Sequence, residues 1–193
     1  MSNLSFDFNL LFKEIIGKSG ISENEITKTL HDEKNSVGKF LSDIKENKIG
    51  FTSILDNKEV IHEIQNFSLK IKNNFKHIVI LGIGGSSLGP LMVLNALKEP
   101  FYNLYSKNKK FYFIDNVDPA TIKGLLNVIN LPETLFIAIS KSGKTIETTV
   151  SLLYFLNIAK DNNLKLEDHF IIITDPKDGP FRELANKYQL QSF

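Results

Sequence analysis

Cysteine is absent from this sequence of 193 residues, and no apolar run is long enough to span a membrane. The lack of cysteine excludes disulfides, thiolate metal sites and thiol catalysis, and it fits a reducing compartment. The longest apolar runs are strand-length or are broken by polar residues, so we expect no transmembrane helix. Residues 1–11 show no cationic stretch followed by an apolar core, so no secretory signal is predicted. These absences predict a soluble, cytoplasmic protein.

An excess of either charge sign is also lacking, because 23 basic residues stand against 22 acidic ones. This balance gives no general attraction to nucleic acids or membranes, so we predict neither as a partner and expect any anion binding to be local. The short basic run Lys107, Lys109 and Lys110 is interpreted as a solvated loop. The histidines show no metal-site spacing, and neither a metal nor a cofactor is predicted.

The sequence that is present changes in character near Phe75. Residues 1–75 are predicted to form a helical segment. Ser22, with Glu25 three residues later, forms a capping box, which is a start signal for a helix. Apolar residues at helical spacing follow in two groups, Val37, Phe40, Leu41 and Ile44, then Val60, Ile64, Phe67 and Ile71.

Residues 76–193 alternate between apolar strands and helices and are predicted to form a separate domain. The strands are predicted at His77 to Leu81, Phe111 to Ile114, Leu135 to Ile139 and Phe170 to Ile173. Runs without polar alternation are typical of a parallel sheet that is covered on both faces. With right-handed crossovers they predict an α/β fold, a doubly wound parallel sheet with helices on both faces. Gln189 to Phe193 reads as the beginning of a fifth strand, so we expect the chain to be truncated there.

The helices between these strands have recognisable starts. Asp118 is predicted to cap a helix with Pro119 in its first turn, and Pro180 is predicted to open another. The stretch from Thr145 to Lys160 is apolar nearly all round, which predicts a well-buried helix.

The first candidate loop, Gly82 to Pro90, directly follows the first strand of the sheet. Ligands of such sheets bind beyond the carboxyl ends of the strands, and glycines let a ligand approach the backbone. We expect a helix to begin near Ser86 or Ser87, with free N–H groups facing the same space. A dinucleotide fingerprint would have glycine in place of Ser87, which disfavours classical NAD binding. A purely structural turn remains the alternative.

The second candidate loop follows the third strand and consists of Ser140, Lys141, Ser142, Gly143, Lys144 and Thr145. Three hydroxyls, two ammonium groups and a glycine at a helix start supply the donors and positive charge that a phosphate needs. A nucleotide P-loop would have glycine in place of Ala138, which disfavours nucleoside triphosphate hydrolysis. The alternative is a polar helix cap with solvated lysines. Glu147 follows in the first helical turn, either as a structural partner of the helix dipole or as a group that orients the loop or the sugar.

Three segments together closely resemble glucose-6-phosphate isomerase of bacterial type. They are Gly82 to Pro90, Asp115 to Pro119 and Ser140 to Thr148, and their order, spacing and strand-end positions match that family. The resemblance is to the N-terminal one of the family's two sugar isomerase (SIS) domains. It implies that Gly85 and Ser86 contact the sugar and that the loop with Ser140, Lys141, Ser142 and Thr145 holds the 6-phosphate of a hexose. The family usually has threonine in place of Lys144.

The resemblance also implies that the catalytic residues of the family have no counterpart in this chain. The family's catalytic glutamate, histidine, lysine and arginine all come after the point that corresponds to Phe193, so no catalytic residue is assigned here. We therefore expect the N-terminal part of an isomerase of glycolysis and gluconeogenesis that is inactive alone. The alternative is a non-catalytic SIS-type sugar-phosphate sensor, and the sequence downstream of Phe193 would distinguish the two. The family is homodimeric, and the state of this chain is left open.

Overall fold

A computed structural model describes residues 7–193 of the protein. The described residues form two compact units, residues 7–58 and Glu59–Phe193. Residues 1–6, which are part of the segment for which no secretory signal was predicted, lie outside the described residues. The predicted domain division after residue 75 stays a prediction.

The first unit is helical. Its helices are α1 (Lys13–Ile16), α2 (Glu23–Asp32) and α3 (Lys34–Lys45), with 3-10 turns at Asn9–Leu11, Gly17–Ser19, Gly50–Thr52 and Ile54–Asp56. The predicted capping box is confirmed, because the Ser22 Oγ accepts from the Glu25 N–H at 3.3 Å and the Ser22 N–H donates to the Glu25 carboxylate at 2.8 Å. Hydrogen bonds from Lys13 and then Ser22 lower the pKa of Glu25 to about 2.

The second unit is built on a five-stranded parallel sheet with the order β2-β1-β3-β4-β5. The strands are β1 (His77–Leu81), β2 (Lys110–Ile114), β3 (Thr134–Ile139), β4 (Phe170–Ile173) and β5 (Gln191–Ser192). The predicted fold class is confirmed. The first four predicted strands match to within one residue. The fifth, predicted from Gln189 onward, begins at Gln191 and pairs with β4.

Helices precede and connect the strands of this unit. They are α4 (Lys58–Ile71), α5 (Gly85–Leu97), α6 (Tyr102–Tyr105), α7 (Pro119–Leu126), α8 (Ile146–Asp161), α9 (Leu166–His169) and α10 (Pro180–Tyr188), with a 3-10 turn at Leu131–Glu133. The predicted starts are confirmed: Asp118 accepts from the Thr121 N–H at 2.8 Å, and Pro180 is the first residue of α10. In the part of the chain that the structure describes, no helix is both long and apolar enough to cross a membrane.

The sheet separates two apolar layers. On the first face, which we call the closed face, α7, α8 and α10 pack on residues such as Val79, Phe136 and Ile172, each with no exposed surface. On the second face, which we call the open face, α4 supplies Phe67 and Ile71 against Ile78, Ile80, Leu135 and Ile171. Alternation along the strands assigns odd and even positions to opposite faces.

The prediction that residues 145–160 form a well-buried helix is wrong for one side of α8. Leu152, Phe155 and Leu156 are buried against the sheet. The opposite side carries exposed apolar residues, which are Ile146, Val150, Leu153 and Tyr154. The sheet can cover only one stripe of a helix, and a sequence that is apolar all round does not say whether anything covers the other.

Candidate functional site

The two candidate loops lie next to each other at the carboxyl edge of the sheet. Strand β1 continues to β2 on one side, whereas β3 and β4 follow on its other side, so the strand order reverses between β1 and β3. A crevice at such a reversal is where open α/β sheets bind ligands. A Cβ built on Gly82, in the first loop, would stand 3.3 Å from the Ile139 carbonyl oxygen at the end of β3. The fold therefore brings the predicted loops together.

The first loop turns sharply into α5. Gly84 has a φ of 59° and a ψ of −131°, a conformation that favours glycine, and α5 begins at Gly85, one residue before the predicted start. Ser87 is buried, and its hydroxyl donates to the Gly84 carbonyl at 3.2 Å, so this serine stabilises the turn. Gly85 is exposed and Ser86 is half-buried. No side chain caps α5, but the Ser86 N–H donates to the Ile83 carbonyl at 3.3 Å, and the Ser87 and Leu88 N–H groups donate to the Gly84 carbonyl at 3.1 and 2.8 Å. The expectation that the first N–H groups of this helix are free is therefore wrong for these three residues.

The second loop is shaped from inside by Ser140. This residue is 2% exposed, and its Oγ accepts from the Gly143 N–H at 3.1 Å and lies 3.4 Å from the Thr145 hydroxyl. Its carbonyl accepts from the Thr174 hydroxyl at 2.7 Å, which ties the loop to the end of β4. The Ser140 hydroxyl is therefore engaged within the loop.

The remaining polar side chains of this loop face solvent. Lys141, Ser142 and Lys144 are exposed, and Thr145 is half-buried at the N-cap of α8. The Thr145 side chain does not cap the helix, so the first N–H groups of α8 are left as donors. Glu147 lies half-buried in the first turn of α8, and its role stays a prediction. The loop thus combines two ammonium groups, hydroxyls and backbone donors in one place.

A buttress that the sequence did not reveal holds this loop against the start of α10. Gly143 has a φ of 66°, and a Cβ there would stand 2.8 Å from the Phe181 nitrogen. A Cβ on Gly179 would stand 2.7 Å from the Ser142 carbonyl oxygen. The Asp175 N–H donates to the Lys141 carbonyl at 3.2 Å. Gly179 directly before Pro180 was the available sequence signal, but only the fold shows which backbone it approaches.

Two carboxylates stand beside the loop, and sequence reasoning missed them as well. Asp175 and Asp178 line a cavity of about 330 Å³ together with Lys141, Ser142, Lys144 and Gly179. Hydrogen bonds from the Lys177 and Asp178 N–H groups lower the pKa of Asp175, which keeps this carboxylate ionised. The cavity is therefore of mixed charge, and one wall of it disfavours an anion.

The family model described as phosphoglucose isomerase matches residues 35–178, which is most of the chain and includes both loops. The chain belongs to the phosphoglucose isomerase family. The match runs from α3 to the loop after β4 and ends just before Gly179.

Relatives in this family are longer than the chain. Glucose-6-phosphate isomerase of Carboxydothermus hydrogenoformans is 34% identical over 98% of the chain, which spans 42% of that relative. The enzyme of the same name from Borrelia garinii subsp. bavariensis is 37% identical over 84% of the chain and 32% of the relative. The chain thus spans less than half the length of these isomerases.

Solved structures of similar proteins agree with the fold. A hypothetical protein from Thermus thermophilus has a TM-score of 0.69 and 27% identity, covering 89% of the chain and 41% of that protein. A glucose-6-phosphate isomerase from Chlamydia trachomatis has a TM-score of 0.56 and 29% identity, covering 70% of the chain and 25% of that protein.

Proposed function

We propose that the chain supplies the hexose 6-phosphate-binding portion of a glucose-6-phosphate isomerase, which interconverts glucose 6-phosphate and fructose 6-phosphate. The observation that carries the proposal is the position of the loop Ser140 to Thr145, at a helix start beside the sheet's reversal point, in a chain of the phosphoglucose isomerase family. This function needs no cofactor, and hexose 6-phosphate is the only partner that it requires.

The phosphate is assigned to the exposed donors of the loop. Lys141, Ser142, Lys144 and Thr145 would donate to it together with the first N–H groups of α8. A hydrogen bond to a charged group contributes on the order of 1.5–3 kcal/mol, so several of them support roughly micromolar to millimolar affinity after the costs of binding. Because the Ser140 hydroxyl and Gly143 are engaged inside the loop, we assign them to its shape.

The sugar is assigned to the neighbouring loop. Gly85 is exposed at the start of α5 and Ser86 is half-buried beside it, so a ligand anchored at Lys141 would extend along the crevice toward them. Glu147 would orient the phosphate loop or hydrogen-bond the sugar.

The chemistry itself requires groups that we do not assign to this chain. Moving a proton between C1 and C2 through an enediol needs a carboxylate base, a group for ring opening and a positive charge near the enediolate. The resemblance assigns these to the portion of the relatives that this chain does not span. We therefore expect the chain alone to bind hexose phosphate and not to isomerise it.

Calorimetric titration with fructose 6-phosphate tests the binding site. Lys141→Ala should raise the Kd about tenfold, because one charge-assisted hydrogen bond is lost. Ser140→Ala should weaken binding by disturbing the loop, with a lower melting temperature as the accompanying sign. Lys165→Ala is the matched control, since Lys165 is exposed before α9 at the opposite edge of the sheet.

Two results would contradict the proposal. Unchanged binding in both Ser140→Ala and Lys141→Ala would mean that the phosphate site is misassigned. Robust interconversion of the two hexose phosphates by the isolated chain would overturn the expectation that it only binds. Binding without turnover in a chain whose gene carries a native stop codon after Phe193 would favour the sensor alternative.

A further inference from the structure

A second basic site lies at the amino edge of the sheet, away from the two loops. It is a cavity of about 500 Å³ between the end of α4, the end of α5 and the segment that leads into β2. Five lysines line it, namely Lys72, Lys76, Lys98, Lys107 and Lys109. Phe75, Tyr102 and Phe111 form apolar walls, and the amides of Asn73 and Asn108 complete the lining. The solvated loop predicted for Lys107 to Lys110 is thus one wall of this cavity.

The positive charge of this cavity is concentrated and poorly balanced. The chain as a whole carries a net charge of only +1. Among residues 7–193, Glu133 is the one carboxylate that forms an ion pair with a cavity lysine, at 2.5 Å from the Lys76 Nζ. The nearby Glu99 accepts a hydrogen bond from the Tyr105 hydroxyl instead. Like charges that converge in this way repel one another, and a bound anion would relieve the repulsion.

One of the cavity lysines is partly desolvated. Lys109 is half-buried, and its Nζ donates to the Phe75 carbonyl at 2.9 Å. Lys98 lies with its Nζ 5.1 Å from the centre of the Tyr102 ring. A partly desolvated ammonium interacts more strongly with an anion than a fully solvated one does.

The cavity is built on a fixed scaffold. The Asn103 side chain forms two hydrogen bonds with the backbone of Phe111, accepting from its N–H at 2.9 Å and donating to its carbonyl at 2.6 Å, which holds α6 to β2. The Ser106 hydroxyl donates to the Lys109 carbonyl and accepts from the Asn108 N–H, each at 3.2 Å, which folds the loop. These contacts fix the positions from which Lys107 and Lys109 project.

We propose that this cavity binds an oligophosphate anion. A multiply charged ligand suits five ammonium groups with one paired carboxylate, and the volume suits a ligand of nucleotide size. The ligand can come from two sources, a free oligophosphate chain or a nucleoside triphosphate whose base lies on the aromatic walls. The proposal does not depend on hexose-phosphate binding, because it uses no residue of either loop.

The test is a titration of isotopically labelled protein, followed residue by residue by NMR, with sodium tripolyphosphate and with ATP as probes. We expect resonances of Lys107 to Lys109 and the side-chain amides of Asn73 and Asn108 to shift. The paired substitution Lys72→Gln with Lys107→Gln should raise the Kd at least about fivefold, since both ammonium groups are exposed and removable without disturbing the fold. ATP binding more tightly than tripolyphosphate would identify the nucleotide, and Tyr102→Leu should then remove the difference.

Lys123→Gln with Lys165→Gln is the charge-matched control, because both lysines are exposed elsewhere in the same unit. Equal weakening by the control pair would reduce the effect to general electrostatics and overturn the proposal. Shifts confined to Ser140 to Thr145 would overturn it too, while leaving the proposed function intact.

Discussion

The two faces of the sheet are made from equally apolar strands but are covered to different extents. On the closed face, Phe136 packs against Phe155 and Phe170 with ring centroids 4.8 and 4.9 Å away, and none of the three rings is exposed beyond 1%. On the open face, an apolar groove of about 610 Å³ runs between α5 and the sheet. Its lining includes Ile80, Phe113 and Ile173, the last of which is 38% exposed.

The helices on the two faces also differ in how far they are buried, as α5 on the open face shows. It is apolar along its length, yet only Ser87 is buried, whereas Leu88, Met92, Val93 and Leu97 are exposed. On the closed face, α8 buries a full stripe of side chains. Apolar composition therefore identifies side chains whose burial would stabilise the fold. The number of helices packed on a face of the sheet decides which of these side chains are buried.

The largest expected effect is from truncating the closed face. Phe136→Ala should destabilise the protein by about 3–5 kcal/mol, because a fully buried aromatic ring leaves a cavity that its neighbours cannot fill. Phe113→Ala, on the half-buried rim of the open face, should cost only about 1–2 kcal/mol because less area returns to water. Urea unfolding measures both. Equal losses would mean that the open face is covered in solution.

The next largest effect is expected where the closed face meets the phosphate loop. Gly143→Ala should cost about 1–3 kcal/mol, because its φ of 66° is strained for alanine and the new methyl group would meet the Phe181 backbone. Gly124→Ala is the matched control, since Gly124 lies inside α7 with nothing within 4 Å of an added Cβ. That control should be neutral or stabilise by up to about 1 kcal/mol. Similar losses in both variants would contradict the buttress.

A smaller effect is expected from acid at the amino edge of the closed face. His77 stacks on Tyr112 with centroids 5.9 Å apart, and its Nδ1 is buried without a hydrogen-bond partner among the described residues. Burial lowers the pKa of His77, an effect that Lys110 and Lys76 reinforce and Glu133 opposes. The stabilisation from a neutral His77 is therefore present above a pH of about 6.5 and is lost as the pH falls.

In the His77→Phe variant, the free energy of unfolding should depend less on pH in this range. Chemical unfolding between about pH 5 and pH 8, where histidines titrate, measures this dependence. His62→Phe, at an exposed position of α4, should leave the profile unchanged. A profile that His77→Phe does not alter would show that another group titrates.

The smallest effect on stability is expected on α5. Leu97→Gln should change the free energy of unfolding by less than about 0.5 kcal/mol, because Leu97 is 74% exposed. It should nevertheless reduce concentration-dependent association and binding of an apolar dye, since it removes part of the exposed patch. Val128→Gln, an exposed apolar position outside α5, is the control and should alter dye binding less. A large loss of stability in Leu97→Gln would indicate that the groove is closed.

Much of the fold was predictable because its signals are local. The strand from His77 to Leu81 was predicted with the observed bounds, since a short β-branched run stopped by glycine has few other interpretations. The capping box at Ser22 and the Asp118 cap depend on contacts three residues apart and were equally readable. The covering of α8 was not readable, because it depends on which elements pack outside the helix.

The candidate site likewise has features that were predictable from the sequence and features that were not. The donors of the loop from Ser140 to Thr145 could be read from residue types at a helix start. The inward engagement of the Ser140 hydroxyl, the approach of Gly179 to Ser142 and the carboxylate of Asp175 could not. The Ser140 hydroxyl bonds within its own loop, but residue types alone do not say whether a hydroxyl faces the loop or a ligand. Asp175 and Gly179 lie between β4 and α10, so their proximity to the loop is a property of strand order and not of spacing along the chain.

The hydrogen bonds between Asn103 and Phe111 have a consequence for how the molecule behaves beside its copies. Strand β2 is an edge of the sheet, and the Phe111 N–H and carbonyl point away from β1, where a further strand could pair. A side-chain amide has the same donor and acceptor as a peptide group, so Asn103 stands in for the missing neighbour. One pairing position of this edge is therefore already occupied, and a strand from another copy could pair there only by displacing Asn103.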